Sequence, residues 1–124
     1  QAKNVPAAWA KLYQEYLGVE VPNDREGCLQ DSHWSGGSFG YFPSYALGNA
    51  YGAQMLHNME QEFDVFGQVA RGSLSGVTGW LREHVHQYGQ LLEPAAIVKN
   101  ACGEFDPHYY LDYLTRKYTE LYNL

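Results

Sequence analysis

An all-α fold is predicted by three features of this 124-residue sequence. No stretch alternates polar and apolar residues cleanly enough for a strand. Several segments repeat apolar residues at helical spacing, and they stand between recognisable helix stops, chiefly glycine and proline. The first helix is predicted from Pro6, a favoured first-turn residue, to Leu17, with Trp9, Leu12, Tyr13, Tyr16 and Leu17 on one side and Gly18 as its stop. Val21-Pro22-Asn23-Asp24 reads as a turn, and Gly27 to Gly40 as a loop. Pro43 opens a long helix through Ser44, Leu47, Tyr51, Gln54, Met55 and Met59 to about Phe63. Its Gly48 and Gly52 lie at i and i+4. Each costs about 1 kcal/mol against alanine in a helix interior, so a pair on one face predicts the close approach of another backbone. A short helical piece near Asp64 to Ala70 and a glycine-rich step at Gly72 to Gly76 come next. They lead to a helix over Val77 to Tyr88, with Trp80, Leu81, Val85 and Tyr88 as its apolar stripe and Gly89 as its stop. Pro94 to Cys102 form another helix ended by Gly103. Asp106-Pro107 are an N-cap and first-turn pair for the last helix, whose stripe is Tyr110, Leu111, Leu114, Tyr118 and Leu121.

Composition narrows the function. The length suits one domain with one core, and 45% apolar against 18% charged residues is the balance of a globular protein. A formal charge of -6, with no cluster of Lys and Arg, argues against a sequence-independent hold on nucleic acid and against an acidic membrane surface. No apolar run approaches the roughly 20 residues that span a bilayer, and no basic, apolar, small-residue signal opens the chain, which favours the cytoplasm. Cys28 and Cys102 are far apart, with no CxxC spacing, and read as free thiols. The chain starts Gln1-Ala2-Lys3 without a methionine and ends on the amphipathic segment Pro107 to Leu124, so it reads like the tail of something longer.

Five histidines raise the question of a metal. His84 and His86, two apart on a predicted helix, stand about 200° from each other around the axis and cannot chelate one ion, so both are expected in solvent. His57 and Glu60 share a face at i and i+3, but zinc sites normally need three protein ligands or more. His108 is expected to be exposed. HExxH is absent, as are GxGxxG, GxxxxGK[ST] and GxSxG, so neither nucleotide binding nor serine-based hydrolysis is supported.

Residues 27–49, GCLQDSHWSGGSFGYFPSYALGN, are different in kind. Asp31 and His33, two apart in a segment read as extended, point the same way, so one can orient the other or both can face one cleft. The competing reading is an aspartate that caps backbone N–H groups beside a core histidine. Tyr41 and Tyr45, four apart where a helix begins, put phenol donors on one face, and two adjacent glycines let backbone come close to something. Phenols and an imidazole converging on one point suit a developing oxyanion or a substrate carboxylate.

Gly27-Cys28-Leu29-Gln30-Asp31-Ser32-His33-Trp34 resembles, at every fixed position, the GxxQDxHW signature of the thermostable (Taq-type) zinc metallocarboxypeptidases, the thirty-second metallopeptidase family. The likeness continues through SGGSFGYFPSYALGN, through GWLREHVHQYG at residues 79–89 and through DPHYYLDYLTRKYTELYNL at 106–124. The resemblance implies the helical C-terminal portion of a larger, mostly helical enzyme with a long active-site groove. Such an enzyme is usually a homodimer and removes single residues from peptide C-termini with one divalent metal, normally zinc. The family's metal-binding HExxH and its HPF, DxRxT and IRxxAD motifs are not in these residues. Carried over, Gln30, Asp31, His33 and Trp34 line the groove, with Tyr41 and Tyr45 beside them. His33 and one of the two tyrosines donate to the oxyanion, and Asp31 orients His33. The expected partners are peptide substrates, the missing N-terminal part and a second copy. The chain alone is expected to bind no metal, to be inactive, and to self-associate or stay bound to its other half through uncovered aromatic surface. The other function considered is a free-standing helical interaction module that keeps the sequence without the chemistry.

Overall fold

The computed structural model describes residues 1–124 and contains seven α-helices, four short 3-10 turns and no strand. It falls into two compact units, residues 1–44 and 45–124.

In the first unit, α1 (Val5–Leu17) has Pro6 in its first turn and ends at Gly18, which takes the left-handed conformation with φ 65°. Trp9 stacks on Tyr13 with ring centroids 5.3 Å apart. The rest of the predicted stripe, Leu12, Tyr16 and Leu17, stays exposed. The chain then turns at Asn23, whose side chain accepts the Glu26 N–H at 3.0 Å and caps a 3-10 turn over Asp24–Glu26. Gly27 follows in a tight place: a Cβ there would stand 2.6 Å from Val21 Cγ1 and 3.1 Å from the Asn23 carbonyl oxygen. Only glycine fits, and it delivers the buried Cys28 into the unit's interior. The segment read as a loop is more ordered than its composition suggests, with a 3-10 turn at Cys28–Gln30 and a one-turn helix α2 (Ser32–Ser35).

Helix α3 (Pro43–Glu62) starts at the end of the first unit and runs into the second. It is followed by α4 (Val65–Ala70), α5 (Ser75–His84), α6 (Pro94–Cys102) and α7 (His108–Tyr122). Asp64 caps α4 by accepting the Gly67 N–H at 2.9 Å. The core of this unit is Met59, Val65 and Trp80, with Met55, Leu56, Phe63 and Leu81 against them. The buried Trp80 indole N–H reaches the Glu62 carboxylate at 2.7 Å, which meets the rule that a buried donor finds a partner. Helix α7 has no buried residue; Tyr110 and Leu114 of its stripe are half-buried, while Leu111, Tyr118 and Leu121 are exposed.

Three expectations are corrected here. The helix expected over 77–88 begins at Ser75 and stops at His84, because Val85 leaves helical dihedrals (φ -128°, ψ -62°); His86–Tyr88 then form a 3-10 turn. His84 and His86 therefore do not share a helix. Nor is His84 in open solvent, since its ring lies on Trp80 with centroids 4.4 Å apart. Gly48 and Gly52 meet no other backbone: a Cβ at either would find nothing within 4 Å. They instead form part of the floor of a groove of about 410 Å³ bordered by Tyr110, Leu114 and Tyr118 of α7.

Gln54 is wholly buried on α3. Its amide nitrogen donates to the carbonyls of Cys102 (3.2 Å) and Glu104 (2.9 Å), and its oxygen accepts the Asp106 N–H at 3.1 Å. One side chain thus satisfies three backbone groups around the end of α6 and the approach to α7. Replacing it with methionine of similar length strands all three, so Gln54→Met is expected to destabilise the fold by roughly 2 to 4 kcal/mol. Urea unfolding followed by circular dichroism reads the loss.

Candidate active site

The site is built from the first unit outward. Asp31 is the N-cap of α2, with extended dihedrals (φ -91°, ψ 115°). One of its oxygens, Oδ1, accepts the backbone N–H of His33 at 2.9 Å and lies 2.6 Å from His33 Nδ1. The pair is therefore together, though not by the extended geometry inferred from spacing: Asp31 caps and His33 sits in the first turn of the helix it caps. Both predicted alternatives, the capping aspartate and the orienting aspartate, describe the same oxygen. The Asp31 carboxyl is held below its ordinary 3.8, first by the His33 backbone N–H; partial burial opposes this and the His33 ring reinforces it. An ionised carboxylate only accepts, so Nδ1 of His33 carries a proton toward it.

Two rings border the imidazole. Tyr41 lies with its centroid 5.2 Å from that of His33, and Phe42 5.6 Å from it. Helix α2 ends at Gly36, and Gly37 turns the chain back with φ 88°, so that the Ser38 N–H donates to the His33 carbonyl at 2.8 Å. Tyr41 precedes α3, which opens at Pro43, so the four-residue spacing to Tyr45 does not place the two phenols on one helix face. Tyr45 belongs to the second unit, in the first turn of α3; both tyrosines are about half exposed, at 51% and 55%. The two remaining signature residues are tied to the chain itself. The Gln30 side-chain amide donates to the Arg25 carbonyl at 2.6 Å, and the Trp34 indole N–H to the Cys28 carbonyl at 3.1 Å.

The molecule supplies its own control. Asp106 and His108, at the start of α7, repeat the arrangement: one carboxylate oxygen takes the His108 N–H at 2.9 Å and faces Nδ1 at 2.7 Å. The repeat sits in solvent, with side chains 51% and 76% exposed, where Asp31 and His33 are 16% and 30% exposed. The carboxylate–imidazole pair is thus a helix-start device, and its enclosure by Tyr41 and Phe42 is what distinguishes the copy at His33. Sequence reading used Asp106 only as a cap and missed this repeat, although Asp-x-His before a helix is visible at both places.

No group of three or more His, Cys, Asp or Glu side chains stands together to hold a metal ion. In the His57 and Glu60 pair, Glu60 is taken up by Arg116 at 3.2 Å and the His57 ring lies tilted by 40° against Tyr109, with centroids 4.6 Å apart. Both cysteines are free thiols, and burial pushes Cys102 up to about 11, where it is no nucleophile at neutral pH. No helix is long and apolar enough to cross a membrane.

The carboxypeptidase Taq (M32) metallopeptidase family model matches residues 1–118. Carboxypeptidase 1 of Bacillus subtilis is 44% identical over 98% of this chain and 25% of its own length. Thermostable carboxypeptidase 1 of Thermus thermophilus is 38% identical over 97% of this chain and 24% of its own. Among solved structures, the M32 carboxypeptidase of Deinococcus radiodurans superposes with a TM-score of 0.89 at 34% identity, over 98% of this chain and 25% of that one. The chain therefore belongs to the carboxypeptidase Taq family of metallopeptidases, and it spans about 25% of the length of these relatives.

Because Asp31 has a depressed folded-state value, its contribution to stability is complete above the ordinary 3.8 and is lost as pH falls through the lower folded value. Asp31→Asn is accordingly expected to cost stability at neutral pH, with the difference from wild type shrinking below pH 3.8. Chemical unfolding of both proteins across pH 2.5 to about 7 measures it; a difference that grows as pH falls would contradict the assignment.

Proposed function

We propose that this chain is the C-terminal part of a longer metallocarboxypeptidase that removes single residues from peptide C-termini, and that it supplies the charge-stabilising side of the active site. The observation that carries the reading is the enclosed Asp31–His33 pair on the GxxQDxHW signature of a metallopeptidase family. The metal, zinc or another divalent ion, is held by residues outside these 124, and it supplies the Lewis acidity that a peptide carbonyl needs before water attacks it.

The part played by this chain follows from the proton on His33 Nδ1. With that nitrogen committed to Asp31, the ring acts on a substrate through Nε2, which is a lone pair in the neutral ring and an N–H donor in the doubly protonated one. Donation to the oxyanion that develops on the scissile carbonyl therefore requires the second proton. Tyr45 or Tyr41 adds a phenol donor. Asp31 orients the imidazole, and Gln30 and Trp34 hold the wall of the groove. Exposed apolar side chains support a larger whole. They include Tyr16 and Leu17 of α1 and Leu121 and Tyr122 of α7. These faces are covered by the remainder of a cytoplasmic, homodimeric enzyme.

In that enzyme, His33→Ala and Tyr45→Phe are each expected to lower kcat by roughly 10²- to 10³-fold with little change in KM and none in metal content, since an oxyanion donor acts mainly in the transition state. A loss in Tyr41→Phe but not Tyr45→Phe exchanges the two tyrosines; unchanged kcat in all three variants sinks the donor reading.

The 124 residues by themselves are expected neither to hydrolyse peptides nor to bind zinc tightly. Calorimetric titration decides the second point, and one-to-one binding in the submicromolar range would overturn it.

A further inference from the structure

Trp34 follows His33 directly, and its indole is only half-buried, so it invites the role of a platform for substrate. Its hydrogen bond argues for another. Helix α2 is four residues long, too short to hold its shape by its own hydrogen bonds. Asp31 fixes its first turn from within the same stretch of chain. What links the turn to the interior is Trp34, whose Nε1–H donates to the carbonyl of Cys28 at 3.1 Å. That carbonyl cannot drift. Cys28 is 4% exposed, and the preceding Gly27 is packed so closely against Val21 and Asn23 that no Cβ fits.

We propose that Trp34 is a positioning residue for His33, acting through its indole N–H on the Cys28 carbonyl and not by contact with substrate. A helical residue shares its backbone with its neighbour, so a displacement at Trp34 turns the peptide plane between it and His33. The Asp31 oxygen takes both His33 hydrogens and constrains the ring relative to α2, but it does not place α2 itself. The Cys28 tie does, and so sets where Nε2 points. The proposal rests on the donor role given to His33 above, and its test separates the two.

In the full-length enzyme, Trp34→Phe removes the N–H together with part of the ring. Replacing Trp34 by its benzothienyl isostere removes only the N–H and keeps the shape, so it stays informative if the phenylalanine variant folds poorly. With an N-blocked dipeptide as substrate, the isostere is expected to lower kcat by roughly 10- to 100-fold while KM stays within about twofold. Its unfolding midpoint should remain close to wild type, and the Cε1–H resonance of His33, observed by selective histidine labelling, should shift or broaden. An isostere with wild-type kcat and an unmoved His33 resonance overturns the proposal. So does a loss seen only in KM, which would put the indole against the substrate. If His33→Ala leaves kcat intact, the donor reading fails by itself, and the resonance alone then judges the tie: a shift upholds it and an unmoved signal overturns it.

Discussion

A single carboxylate oxygen, Asp31 Oδ1, decides the form of the site. By accepting the His33 N–H it starts a helix too short to start itself, and by facing Nδ1 it fixes the imidazole on that helix. The two bonds are not independent: the first brings the side chain of residue i+2 into reach of the second. Local capping chemistry and the orientation of a reactive group are therefore one event. Asp106 and His108 show what the device is worth without surroundings. The same bonds form there at nearly the same distances, and the result is an exposed helix start. The difference at Asp31 comes from Tyr41 and Phe42 on one side and the buried turn behind Trp34 on the other.

The second unit is organised by the opposite solution to a similar problem. The end of α6 and the approach to α7 leave backbone groups without helical partners, and no local side chain meets them. Gln54, from the middle of α3, does so instead. An amide carries both donors and an acceptor, so one residue serves two carbonyls and an N–H, which neither a carboxylate nor an ammonium could do. The consequence reaches the next helix: the same bond that fixes the Asp106 N–H holds the residue whose carboxylate opens α7.

The helices were legible because their stops are chemical. Pro6, Gly18, Pro43, Pro94 and Gly103 each act through backbone geometry that needs no knowledge of the rest of the fold, and the elements begin or end where they stand. What the pattern missed was decided by packing or by competing short-range bonds. Val85 is apolar and in phase with Trp80 and Leu81, yet the helix stops before it. Gly48 and Gly52 have the spacing of a backbone contact, but in this chain they border open groove. Gln54 looked like one more member of a helix face, since a buried amide and an exposed one read alike until their partners, 48 to 52 residues away, are known. The pairing of Asp31 with His33 was foreseen, but for the wrong geometric reason.

That error is instructive about the chemistry. Read as extended chain, Asp31 and His33 either oriented one another or both faced one cleft, and in the second case each was available to a ligand. As a cap and its first-turn neighbour, they are already engaged with each other, and the carboxylate that orients the ring is withdrawn from direct work on a substrate. The imidazole is then held through Nδ1 on the oxygen that caps its own helix. A base, a donor and a metal ligand can all be made from such a histidine; which of them it becomes depends on what stands opposite Nε2. Within this chain the neighbours are aromatic rings, and no cluster of ligating side chains is assembled.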